Sequence, residues 1–192
     1  MTAQINDKFI FNGHSYDISA IQLPCEFFCI EKLGIFPTEK TTACWRGYVA
    51  EFAILENRLV LKDLTTNNGK RDVEPVVLNG ISPFIIGSEK YQDWYYENIN
   101  LEISYSGAIL ITDGFLREYY VHMGFQSPFS YTKVVELIFE HGLLISTNDL
   151  SDVATKFREE VATENHESRM KNIPLWINEC FDLSYHIKWN RE

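Results

Sequence analysis

Strong catalytic and cofactor signatures are what this chain lacks. G-x-S-x-G, G-x-G-x-x-G, a Walker-type phosphate loop and H-E-x-x-H are all missing. Ser104-Tyr105-Ser106-Gly107 is no nucleophile elbow, because no strand-to-helix turn is expected there. Basic residues are scarce: 17 Lys and Arg against 27 Asp and Glu give a formal net charge of −10. Such a chain repels phosphate backbones, which argues against general nucleic-acid binding. The same charge argues against docking on an anionic membrane. No apolar run approaches the roughly 20 residues that a membrane-spanning helix needs. The opening residues, MTAQINDKFIF, show no basic start followed by an apolar stretch, so no signal peptide is expected. A cytoplasmic protein follows as the expectation, with its four cysteines reduced. No C-x-x-C or close H-x-x-x-H occurs, and no metal or cofactor is expected. Internal repeats and low-complexity segments are missing too.

What the chain does contain is apolar and aromatic. Its 192 residues suit a single globular domain over 1–192. Apolar residues make up 45% and charged residues 23%, a globular composition. Aromatics reach 14%, which favours strands and leaves rings for a surface. The fold class read from the chain is α+β. It is a predominantly antiparallel, meander-like sheet of about seven to nine strands, with helices near the N- and C-terminal parts.

The clearest local structure is a hairpin over 44–64. With Glu56-Asn57 as its loop, Leu55 faces Arg58, Ile54 faces Leu59 and Phe52 faces Leu61. Tyr48, Ala50, Phe52 and Ile54 then share a face with Leu59 and Leu61, and that face should meet the core. Near Arg46 and Tyr48 it turns polar, so the core is expected to end there. On the other face Glu51 falls opposite Lys62.

Earlier, Asn12-Gly13 between two short apolar runs predicts a small hairpin. Pro24 and Gly34 bracket a short helix whose buried stripe is Phe27, Ile30 and Leu33. Residues 65–75 read as a loop turning at Asn68-Gly69, and Asn79-Gly80 and Ser82-Pro83 extend the irregular region. Tyr91 to Tyr96 reads as a short helix or a loop. Leu101 to Thr112 is one strand, or two joined at Ser106-Gly107 by a turn or a bulge. Asp113-Gly114 reads as a turn and Phe115 to Met123 as a strand, broken at Gly124. Tyr131 to Glu140 and Leu143 to Ser146 form a hairpin with Phe139 facing Leu144 and Ile138 facing Ile145. Ser151-Asp152 caps a helix running to about Asn165, with Val153, Phe157 and Val161 recurring every four residues beside Ala154. Pro174 to Leu183 is a second helix or a docked tail anchored by Trp176, Cys180 and Phe181, and Tyr185 to Trp189 is a candidate closing strand.

Two segments carry the candidate chemistry. Trp45-Arg46-Gly47-Tyr48 opens the main hairpin, and Tyr120-Val121-His122-Met123-Gly124-Phe125 comes much later. Together they resemble an uncharacterised bacterial family of similar chain length, over roughly residues 23 to 146. The resemblance implies a bacterial origin and a shared fold; no known activity or catalytic residue comes with it.

Arg46 is a candidate binder of an anion or carboxylate, since a guanidinium forks onto such groups. The alternative is a structural arginine, stacked on a ring or paired with a carboxylate. His122 is a candidate general base or ligand contact, set against a hydrogen-bonded structural role. Cys25 and Cys29, four apart, would share a helix face, but buried reduced thiols explain them better than zinc. His14 and His141 sit at turns and are expected to be exposed and inert.

Two functions compete. One is a protein-binding partner, of which an immunity-type protein that neutralises a basic toxin is one version, because complementary charge speeds association. The other is a small-molecule or anion binder, or an enzyme, with a site formed by Trp45, Arg46, Tyr48, Tyr120 and His122. That site requires the two motifs to converge. Oligomeric state is left open by the sequence.

Overall fold

In the computed structural model of this chain, residues 2–67, 74–88, 91–163 and 183 are described. Among these residues ten strands form one mixed sheet, most of whose pairings are antiparallel. The first two are β1 (Lys8–Phe11) and β2 (His14–Ile21), joined through the expected Asn12-Gly13 turn. The central hairpin is β3 (Tyr48–Leu55) with β4 (Arg58–Thr66). Then come β5 (Phe84–Ser88), β6 (Tyr91–Tyr96), β7 (Leu101–Glu102) and β8 (Gly107–Phe115). The last pair is β9 (Tyr131–Glu140) and β10 (Leu143–Asp149). Among the described residues there are two α-helical segments, α1 (Pro24–Phe27) and α2 (Ser151–Thr163).

The strand order is β10-β9-β8-β2-β1-β3-β4-β6-β5, and β10 also pairs with β4. Seven strands, from β10 round to β4, therefore close into a ring. Closure is local: Leu143 lies opposite Arg58, Leu59 N donates to Gly142 O at 2.8 Å, and Leu144 N donates to Asn57 O at 3.1 Å. The pairing of β1 with β3 is parallel, so the sheet is not a pure meander. β6 and β5 continue beyond β4 as an extension of the ring.

The core follows from period-2 alternation. Phe52, Leu59 and Leu61 are fully buried with Phe9, Ile109 and Leu137. The hairpin face expected to meet the core does so at Ala50, Phe52, Leu59 and Leu61. Ala53 and Val60 on the opposite face are buried as well. A second, smaller cluster joins Ala20, Leu110 and Val134 to Ala154 of α2.

Several expectations are corrected. The segment from Pro24 to Gly34 is not one helix. α1 ends at Phe28, whose backbone is extended, and a 3-10 turn follows over Ile30–Leu33. Its burial pattern was nonetheless readable, since Phe27 and Ile30 are buried. In the hairpin a register shift after Glu51 sets that residue opposite Asp63 rather than Lys62, although Lys62 Nζ still reaches Glu51 Oε1 at 2.8 Å.

Tyr91 to Tyr96 is a strand, with Trp94 and Tyr96 buried. Ser106-Gly107 is neither a hairpin turn nor a bulge: β7 pairs with β4, whereas β8 pairs with β2 and β9, so the chain crosses between neighbours there. Asp113-Gly114 is not a turn but lies inside β8. Gly114 has φ +72°, and a Cβ on it would sit 2.0 Å from Thr132 Oγ1. Phe115 to Met123 is not a strand. The sheet ends at Phe115, and Arg117–Tyr119 forms a 3-10 turn.

In the last hairpin Phe139 faces Leu144 as expected, but a shift at Ile145 brings Ser146 opposite Ile138. On α2 Val153 is exposed and Ala154 is the buried residue. Cys29 lies beyond α1, so Cys25 and Cys29 do not share a helix face. The expectations for 68–73 and for the tail beyond 163 lie outside the described residues, apart from Leu183, which is buried and whose carbonyl accepts from Ile21 N at 2.7 Å.

Candidate functional site

Gly47 makes the Trp45-Arg46-Gly47-Tyr48 loop possible. Its φ is +71°, and a Cβ there would lie 2.1 Å from Thr38 O. The loop delivers Arg46 onto Asp7. Arg46 Nη1 donates to Asp7 Oδ2 at 2.6 Å, and Nη2 donates to Asp7 Oδ1 at 3.2 Å and to Ile5 O at 3.1 Å. Asp7 Oδ1 also accepts from Ala50 N at 2.8 Å. The guanidinium carbon stands 4.8 Å from the Tyr48 ring centre and 5.1 Å from that of Phe125. Its fork is thus filled by a carboxylate and its faces by aromatic rings.

Electrostatics agree with that geometry. Burial works against the Arg46 charge, but Asp7, with smaller contributions from Tyr48 and Cys44, raises the guanidinium above its ordinary range. Burial, followed by the charge of Asp7, pushes the Tyr48 phenol up to about 12, while Arg46 pulls the other way. Burial likewise raises the Cys44 thiol, against the pull of Arg46.

The two motifs do meet, through Phe125 on Arg46. A strap of N-terminal residues binds them together. Gln4 N donates to Gly124 O at 2.8 Å, Trp45 N donates to Gln4 Oε1 at 3.0 Å, and Ile5 N donates to Ala43 O at 2.8 Å. Gln126 closes the second loop by exchanging two 2.9 Å hydrogen bonds with the backbone of Val121.

Arg46 and Tyr48 are therefore brought together with Phe125, the last residue of the second motif, and with Asp7, which no sequence pattern marks. Tyr120 and His122 form a separate exposed pair, their rings 4.9 Å apart and nearly perpendicular. Tyr120 in turn meets Phe115 edge-on. Trp45 is exposed at the rim. His14 and His141 are exposed at their turns, as expected. Two shallow concavities share Arg58 and Glu102 in their linings and include none of the motif residues. Among the described residues no cluster of three or more His, Cys, Asp or Glu is placed to hold a metal. None of the described helices is long and apolar enough to cross a membrane.

A second feature lies away from both motifs. β5 is the last strand of the sheet, and no strand among the described residues pairs with its outer edge. Phe84, Ile85 and Ile86 are 61%, 58% and 43% exposed. No charged residue interrupts Phe84–Ser88. The signal in the sequence is a short apolar run after Ser82-Pro83, and it is easily absorbed into the irregular stretch before it. No family model, curated protein or solved structure matches this chain.

Proposed function

We propose that this chain is a protein-binding module that takes an extended segment of a partner along the outer edge of β5, which no strand among the described residues covers. The observation that carries the reading is the run of three exposed apolar residues, Phe84, Ile85 and Ile86, on the terminal strand of the sheet. Natural edge strands are usually blunted by charge, proline or a bulge. β5 has an unbroken register with β6 and no charge of its own. No strand among the described residues covers this edge, and a strand added beyond Pro83 would bond to its backbone while covering the apolar side chains. Exposed apolar residues grouped in this way mark interaction surfaces.

A dedicated inhibitor of a basic toxin is one form such a protein takes, and the net charge of −10 is what supports it. The competing anion site at Arg46 loses support because Asp7 already occupies the guanidinium fork. A display library of random peptides, selected on the wild-type protein and on a Phe84→Ser/Ile85→Ser variant, tests the reading. Strand-forming sequences rich in β-branched residues should be enriched on the wild type alone. Equal enrichment on both proteins, or no enrichment, would overturn it.

A further inference from the structure

We infer that the segment bound along β5 is basic and amphipathic, with Lys or Arg at alternate positions over Phe84 and Ile86 and apolar side chains over Ile85. The inference rests on the edge reading above and adds the chemistry of the partner. It starts from strand register. Phe84 lies opposite Tyr95 and Ile86 opposite Asp93, while Ile85 lies opposite Trp94. Tyr95 lies opposite Thr65, and Glu51 lies opposite Asp63, two residues from Thr65. Side chains directly across from one another share a face, as do residues two apart. One face of this part of the sheet therefore runs from Phe84 and Ile86 through Asp93 and Tyr95 to Asp63 and Glu51. The other face carries Ile85 beside buried Trp94.

The first face is acidic. Among the described residues its cations are Lys40, paired with Asp93, Lys62, which bridges Glu51 at 2.8 Å and Asp63 at 2.5 Å, and Lys8, opposite Glu51 and paired with Asp17. Glu97, exposed just past the end of β6, adds a carboxylate whose charge reaches Tyr95. Among the described residues five carboxylates, Asp17, Glu51, Asp63, Asp93 and Glu97, thus outnumber three cations, Lys8, Lys40 and Lys62, by two. Burial first, then the charges of Asp63 and Glu97, push the Tyr95 phenol upward against the pull of Lys62.

A strand added to β5 sends alternate side chains to each face. On the acidic face long basic side chains can lay their stems along Phe84 and Tyr95 with the charge near Glu97. On the other face apolar side chains cover Ile85. A second copy of this chain is a poor occupant, because it brings another −10 and the same acidic face. A five-residue edge is also short beside the roughly 1,200–2,000 Å² that stable interfaces bury.

Fluorescence anisotropy with three short labelled peptides tests the inference. All share Val and Ile at alternate positions, with Lys, Thr or Glu between them. The Lys peptide should bind wild-type protein at least about tenfold more tightly than the Glu peptide at low salt. That preference should shrink at about 1 M salt, where the Debye length is about 3 Å, and in a Glu97→Gln variant. Equal binding of all three peptides overturns the basic assignment and leaves the edge reading standing. No binding, or binding that Phe84→Ser/Ile85→Ser leaves unchanged, overturns both. Self-association in sedimentation that Phe84→Ser/Ile85→Ser abolishes overturns the inference in favour of a second copy.

Discussion

Arg46 shows what a single residue can and cannot announce. Its neighbours Trp45, Gly47 and Tyr48 mark it as special in the sequence. Its partner does not show there, because Asp7 lies 39 residues earlier in an unremarkable stretch. The Asp7 side chain is only 5% exposed and holds the two guanidinium nitrogens and Ala50 N together. The ion pair therefore fastens the N-terminal strap to the start of β3. Removing one member strands a buried charge, which costs more than the pair itself contributes. Arg46→Met should destabilise the protein by about 3–5 kcal/mol in urea unfolding. Adding Asp7→Asn should recover part of that loss, since the two sites are coupled. A loss below about 1 kcal/mol would place the pair among solvent-screened surface bridges. Tyr120 and His122 carry no comparable network, and their prominence in the sequence came from their motif rather than from any partner it revealed.

Among the elements, the β3–β4 hairpin was the most legible, because its turn chemistry and its alternation agree. Glu56 and Asn57 both have positive φ, 48° and 66°, as a primed two-residue turn demands. Asparagine tolerates that region, whereas glutamate at the first position is strained. Glu56→Asn, which leaves the 3.3 Å bond from Asn57 Nδ2 to Leu144 O in place, should raise stability by about 1 kcal/mol, read as a higher urea midpoint with an unchanged slope. An unchanged or lower midpoint would mean that Glu56 makes compensating contacts. The bulge after Glu51 was invisible because Lys62 satisfies Glu51 in either register.

Other elements misled for identifiable reasons. Phe115 to Met123 is rich in strand formers, yet beyond Phe115 no strand among the described residues continues the pairing with β9, and a 3-10 turn forms. Tyr91 to Tyr96 has aromatics on both faces, which hides its alternation until Trp94 and Tyr96 are seen turned inward.

For the whole molecule, folding buries tyrosine phenols. Tyr96 is fully buried and donates to Val76 O at 2.8 Å; burial pushes it up to about 12, and Tyr48 stands at about 12 as well. Burial raises Tyr105 and Tyr131 further. A raised phenol favours its neutral form in the folded state, so above an ordinary value of about 10 the folded chain binds more protons than the unfolded one. The associated stability is complete below about pH 10 and falls as pH rises towards 12, by about 1.4 kcal/mol per pH unit for each such phenol. Denaturant unfolding across this range, paired with phenolate absorbance, checks it. Ionisation of every tyrosine near pH 10 with the fold intact would refute the prediction.

The sequence by itself determined what short-range physics controls. Asn12-Gly13 and Glu56-Asn57 turn the chain, Phe52, Leu59 and Leu61 face inward, and acidic residues exceed basic ones. Each of these depends on residues within a few positions of one another, or on a sum over the chain. Tertiary structure decided the parallel pairing of β1 with β3, the junction of β10 with β4, the match of Arg46 to Asp7, and the exposure of Phe84, Ile85 and Ile86. These depend on which distant segments become neighbours, and an apolar triplet has the same composition in a central strand as at an edge. Only the order of strands in the sheet leaves the outer edge of that triplet, beyond its pairing with β6, without a neighbouring strand among the described residues.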